Sequence, residues 1–287
     1  MSSWCPKEIC VCFFLSVLYV GSLYIWKETQ RRDDPTTIKK RCISVFFMTV
    51  VSPFFVIWFG SNDSEEVTLW TRMGLRWEGL VPALLLPMIL TCILFLGPIV
   101  QSHVGQTNLL QSLYSSVCLY FDPLYWYNTS QNPIWWRNQV VAPFSEEFTF
   151  RACMLPILLQ CVSPGRAVFI APLFFGVAHL HHAVDRVRAG TDLPTIILVS
   201  SFQFLYTSVF GFYSAFLFIR TGHFLPLFAV HAFCNHMGLP ELKNMMRFGS
   251  PLRYKLLAVH VAGLVAWYYL LFPLTEPAYF SNTRYPL

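Results

Sequence analysis

The stretch LVPALLLPMILTCILFLGPIVQ, Leu80–Gln101, carries no charged residue from end to end. A helix needs about 20 apolar residues to cross the hydrocarbon of a bilayer, so this stretch reads as a membrane span. Working outward from it, further apolar runs fall at about 9–26, 42–60, 139–161, 166–182, 192–219, 222–238 and 254–273. Together they predict an all-α fold, a polytopic transmembrane helix bundle of about eight spans. The composition agrees. Of 287 residues, 55% are hydrophobic and 12% charged, against about 25% charged in soluble domains. The first run is too long for the core of a cleaved signal and has no small-residue cleavage site after it, so it reads as an anchor.

Residues 102–138 break the pattern. They are polar, aromatic and proline-containing, with Trp126, Trp135 and Trp136, and they read as an interfacial amphipathic segment plus a loop. The chain divides into an N-terminal transmembrane region with that segment (1–138), a core helical region (139–273) and a short polar tail (274–287). Orientation follows from Lys and Arg. If the spans alternate, the loops 27–41, 102–138, 183–191 and 239–255 share one side and hold 13 of the 20 basic residues, whereas the other side holds six. The first side is expected to be cytosolic. The net charge of +5 is spent on such loops and carries no nucleic-acid signal. Nine scattered cysteines, without zinc spacing, read as buried apolar fillers. The sequon at Asn62 is expected on the lumenal side and that at Asn128 in the cytosol.

Three places put ionisable groups inside spans: Glu146-Glu147-Phe148-Thr149-Phe150-Arg151, Phe175-Gly176-Val177-Ala178-His179, and His231-Ala232-Phe233-Cys234-Asn235. A carboxylate in hydrocarbon costs at least about 2.5–3.5 kcal/mol on insertion scales. Glu147 and Arg151 are four apart and share a helix face, so they are expected to pair. Glu146 points about 100° away and needs a task or a partner on another helix. His231 and Asn235 also share a face, and two donors on one wall suit a developing oxyanion. His179 follows small residues that allow close helix approach. All four groups are expected near the cytosolic interface, within about 10 Å of it at ~1.5 Å per residue. His181, His182 and His236 are expected at the membrane edge.

The set Glu-Glu-x-x-x-Arg, Phe-x-x-x-His and His-x-x-x-Asn, in that order and each in a span, resembles the type II CaaX prenyl endopeptidases, the Ras-converting CaaX proteases among the wider bacteriocin-processing relatives. The resemblance covers about residues 139–238 by motif. It implies removal of the aaX tripeptide from farnesylated or geranylgeranylated CaaX proteins such as small GTPases, in the endoplasmic reticulum membrane, with the active site toward the cytosol. It also implies roles. Glu146 is the general base, His179 holds the same water, His231 and Asn235 form the oxyanion hole, and Glu147 and Arg151 support them. No cofactor is expected.

Two alternatives stand beside this reading. One is a zinc-dependent metalloprotease with the ion on Glu146, His179 and His231, although His-Glu-x-x-His is absent from the sequence. The other is a transporter or scaffold with a buried polar network.

Overall fold

Asp34 starts the first long helix. Its carboxylate accepts hydrogen bonds from the amides of Thr36 (2.8 Å) and Thr37 (3.4 Å), and Pro35 fills the first turn. Asp192 starts another in the same way, accepting from the Thr195 amide at 3.0 Å. The structure is a computed structural model and describes residues 6–26, 31–60, 67–104 and 108–285. Cys5, Lys27, Asn62, Asp63, Glu65 and Glu66 lie outside the described residues.

Among the described residues there are helices and turns but no strand, as the apolar pattern predicts. The main helices are α1 (Pro6–Ser22), α2 (Pro35–Phe59), α3 (Leu80–Leu94), α4 (Leu96–Ser102), α5 (Ala142–Glu147), α6 (Pro164–His179), α7 (Leu193–Thr221), α8 (Leu225–Met237) and α9 (Leu252–Leu270). Three described helices, Pro35–Phe59, Pro164–Arg188 and Leu193–Thr221, are long and apolar enough to cross a membrane; two bent pairs bring this to five. One bent pair is α3 with α4, turned by 66°. Pro98 stands behind that bend, because its ring clashes with the carbonyl four residues back, at Leu94. The other three expected spans are a 17-residue helix (α1), a stretch interrupted by π-helical turns, and the 13-residue α8. At ~1.5 Å per residue, α8 rises about 20 Å, less than the roughly 30 Å of hydrocarbon.

The outer faces are apolar. Phe46, Phe47 and Trp58 on α2, Ile197, Leu198 and Leu205 on α7, and Tyr268 and Tyr269 on α9 are all exposed. So wide an apolar surface suits lipid rather than water. The interior joins both halves of the chain, with Cys12, Leu15 and Tyr19 of α1 and Val45, Met48 and Phe55 of α2 packed on Phe150, Met154 and Phe175.

α6 lies close along α7, and glycine allows it. A Cβ on Gly211 would sit 2.8 Å from the Pro172 Cβ and 3.0 Å from an Arg151 guanidinium nitrogen. A Cβ on Gly176 would collide with Ser208 and Phe204, so the small-residue stretch before His179 serves the close approach expected of it.

Two sequence expectations need correction, for the His179 helix and the cysteines, and the structure adds a contact that the sequence left open. The helix bearing His179 does not end near residue 182, because after a turn His182–Arg188 continues it. The polar tail is docked: Phe280 is buried, and Asn282 donates to the Ile219 and Arg220 carbonyls at 2.8 and 3.0 Å. Arg76 joins the two parts by donating to the carbonyls of Thr221, Gly222, Phe280 and Ser281. These bonds satisfy orphan carbonyls at the end of α7. The cysteines are not uniformly buried fillers either. Cys12 and Cys153 are buried, but Cys10 and Cys118 are exposed and Cys161 is disulfide-bonded.

Candidate active site

π-helical turns flank α5 on both sides, at Arg137–Val141 and Phe148–Cys153. Such wide turns inside helices recur at functional sites, and here they set the directions of two adjacent glutamates. α1 fixes α5 from outside. Ser145 donates its hydroxyl proton to the Val141 carbonyl at 2.8 Å, so the Tyr19 hydroxyl, 2.8 Å from Ser145, is the donor of that second bond.

Glu147 points into the protein and is fully buried. Its Oε1 accepts from Arg151 at 3.1 Å and from His231 Nδ1 at 2.7 Å, and its Oε2 accepts from Ser214 at 2.6 Å. The predicted Glu147–Arg151 pair therefore forms, as the centre of a network joining α5, α7 and α8. Each carboxylate oxygen is satisfied, which a buried charge requires. Arg151 lies with its guanidinium carbon 4.2 Å from the centre of the Phe175 ring, a cation–π contact in a dry site.

Glu146 faces the other way. Its side chain is 18% exposed and lines a cavity of about 100 Å³. His179 lines the same cavity, with Tyr19, Phe150, His181, His182, Arg32 and Arg137 among the other walls. The space has room for several waters. His179 Nδ1 donates to the Phe175 carbonyl at 2.8 Å, which leaves Nε2 as the free ring nitrogen. The Phe175 ring sits edge-on to His179, centroids 4.4 Å apart, so one phenylalanine separates the imidazole from the Arg151 guanidinium.

His231 bridges the two glutamates. Its Nδ1 proton goes to Glu147, since a carboxylate only accepts. Its Nε2 stands 3.8 Å from Glu146 Oε2, beyond hydrogen-bond length. Asn235 lies apart. It is exposed and, like His231, is not among the residues lining the cavity, and it donates at 2.9 Å to the carbonyl of Asn138, in the π turn before α5. The structure thus brings Glu146, Glu147, Arg151, His179 and His231 together and leaves Asn235 at the rim. His181 and His182, expected at the edge, line the cavity, whereas His236 is exposed and meets Tyr120 at 3.2 Å.

Sequence reasoning missed Tyr19, Ser214 and the arginines Arg32, Arg41 and Arg137. A tyrosine inside the first apolar run is a signal of sorts. Ser214 has none, because its partner lies 67 residues away. Phe144 and Phe148 stack on each other and meet the Phe224 ring edge-on. Among the described residues no three of His, Cys, Asp and Glu are grouped so as to hold a metal ion.

Membrane-crossing helices that converge a free carboxylate and an imidazole on a water-sized cavity define an integral membrane protein with a hydrolase-like centre. The model of the family "Type II CAAX prenyl endopeptidase Rce1-like" matches residues 128–237, the segment that contains all of these polar residues except Tyr19 and the N-terminal arginines. CAAX prenyl protease 2 of Homo sapiens is 43% identical over 281 residues, covering 97% of this chain and 84% of that protein. The protein of that name from Rattus norvegicus is 38% identical over 280 residues, covering 97% and 83%. A probable CAAX prenyl protease 2 of Schizosaccharomyces pombe is 33% identical over 248 residues, 81% of each chain. This chain belongs to the type II CAAX prenyl endopeptidase family. No solved structure matches it.

Proposed function

We propose that this enzyme, a CaaX prenyl endopeptidase by family, cleaves after the prenylated cysteine with Glu146 as general base and without a metal ion. The observation that carries the reading is the division of labour between adjacent glutamates. Glu147 has every oxygen engaged, whereas Glu146 faces a cavity shared with His179.

The steps follow from those positions. Glu146 takes a proton from a water that His179 Nε2 also holds. The resulting hydroxide attacks the scissile carbonyl carbon, and the carbonyl oxygen becomes an oxyanion. His231 Nε2 and the second amide N–H of Asn235 are the donors to it. Because Nδ1–H is given to Glu147, His231 donates from Nε2 only as the doubly protonated ring. When the tetrahedral carbon collapses, the C–N bond breaks and Glu146 returns its proton to the leaving amine. The aaX tripeptide departs, and the new carboxylic acid on the prenylated cysteine gives up its proton to water or the amine and becomes a carboxylate.

The prenyl chain anchors the substrate in lipid, at about 0.8 kcal/mol per buried methylene, and holds the scissile bond near one interface. The arginines on the cavity belong to the basic loops, which supports a cytosolic opening. The disulfide at Cys161 supports placing the opposite end in an oxidising lumen, as in the endoplasmic reticulum. Prenylated small GTPases are fitting substrates.

The test is release of tripeptide from a prenylated Cys-a-a-X peptide by the full chain in vesicles. Glu146→Gln and His179→Ala are expected to abolish release, with thermal stability retained. Release at the wild-type rate by either variant refutes the assignment.

A further inference from the structure

Arg32, Arg41 and Arg137 all line the cavity that contains Glu146 and His179. Two of them are committed. Arg137 donates to Asp33 at 2.7 Å and to the Arg32 carbonyl at 3.3 Å, and Arg41 lies 3.7 Å from Asp185. Arg32 differs: its side chain is exposed and makes no ion pair or hydrogen bond among the described residues. Its backbone is nevertheless held, by Arg137 on its own carbonyl and by the Asp34 cap two residues on. Asp33 and Asp185 attract its guanidinium through space, but Asp33 pairs with Arg137 and Asp185 with Arg41 and His182, so on the wall of the candidate active site the Arg32 guanidinium keeps its donors for a ligand.

The ligand must carry an acidic group that a guanidinium fork can grip. If cleavage falls three residues from the end of the substrate, its C-terminal carboxylate lies roughly 10 Å beyond the scissile carbonyl, at ~3.3–3.6 Å per residue. The arginines stand on the wall of the same cavity as Glu146, so a tail running from Glu146 along that wall brings its carboxylate to them. Resting on the protease reading above, we infer that Arg32 binds the free C-terminal carboxylate of the substrate. The contact acts as a ruler that places the third peptide bond from the end over Glu146.

The experiment compares two prenylated peptides that differ only at the terminus, one a free acid and one a carboxamide, with the full chain in phosphatidylcholine vesicles. For the wild type, the amide is expected to raise KM about tenfold or more, with kcat within about twofold. Arg32→Gln is expected to raise KM for the acid by a similar factor and so erase the difference between the two peptides. Arg32→Lys, which keeps the charge, is expected to restore part of it. Equal KM for acid and amide in the wild type overturns the inference and leaves the protease reading standing. So does an equal KM rise for both peptides in Arg32→Gln. If Arg32→Gln matters only after phosphatidylserine is added, the side chain serves a lipid headgroup and the inference falls. If the wild type cleaves neither peptide, the protease reading fails and this inference fails with it.

Discussion

Replacing Ser214 by alanine removes one hydroxyl from a site that is almost fully buried, and with it the 2.6 Å bond to Glu147 Oε2. Oε1 keeps Arg151 and His231, so Oε2 alone loses its partner. Hydrogen bonds to charged groups contribute about 1.5–3 kcal/mol net, and a buried acceptor left unpaired adds a desolvation cost of similar size. The space vacated by one oxygen is too small for a water with two or more polar partners. The expected cost is therefore about 2–3 kcal/mol of folding stability, measured by denaturant titration of the purified protein in mild detergent. A double-mutant cycle isolates the contact. With Glu147→Gln as the second change, Ser214→Ala should cost at least about 1 kcal/mol less, because the charge it serves is gone. Additivity within about 0.5 kcal/mol would show that the two side chains do not act together, and the network drawn around Glu147 would be wrong.

Gly211→Ala is expected to destabilise by about 1–3 kcal/mol and to lower activity, since its Cβ would press on both Pro172 and the Arg151 guanidinium; an unchanged melting temperature with full activity would contradict the close α6–α7 packing. Asn235→Ala is expected to lower kcat by about 10²–10³ with little change in KM if its free N–H meets the oxyanion; a rise in KM alone would assign it to holding α8 against Asn138 instead. Treatment with a strong zinc chelator is expected to leave peptide cleavage unchanged. Stoichiometric zinc in the purified protein, with activity lost to the chelator and restored by zinc, would overturn the metal-free step.

The local features were legible in the chain. Leu80–Gln101 announces a span by composition alone, although Pro98 bends it in a way that hydropathy does not register. The Glu147–Arg151 pair follows from four-residue spacing and forms as expected. The span boundaries were less legible, because His182–Arg188 is polar yet continues the helix past His179. The docked tail was not legible at all, since the carbonyls that hold Arg76 and Asn282 carry no sequence signature. Asn235 shows the limit of helical phase. It shares a face with His231, yet it stands one turn nearer the helix terminus, exposed, with one amide hydrogen on the Asn138 carbonyl.

Membrane embedding, helicity and the presence of two adjacent glutamates inside a span are properties of the sequence by itself, because each is set by residues within a turn or a span of one another. Which glutamate is the structural hub and which faces the cavity was decided only by the tertiary structure. Adjacent helical residues point about 100° apart, and nothing within residues 146–151 says which direction is solvent and which is core. Ser214 and His231, 67 and 84 residues away in the chain, close around Glu147 and leave Glu146 to the cavity. The choice rests on how α7 and α8 pack, and on the π turns that rotate α5 between them.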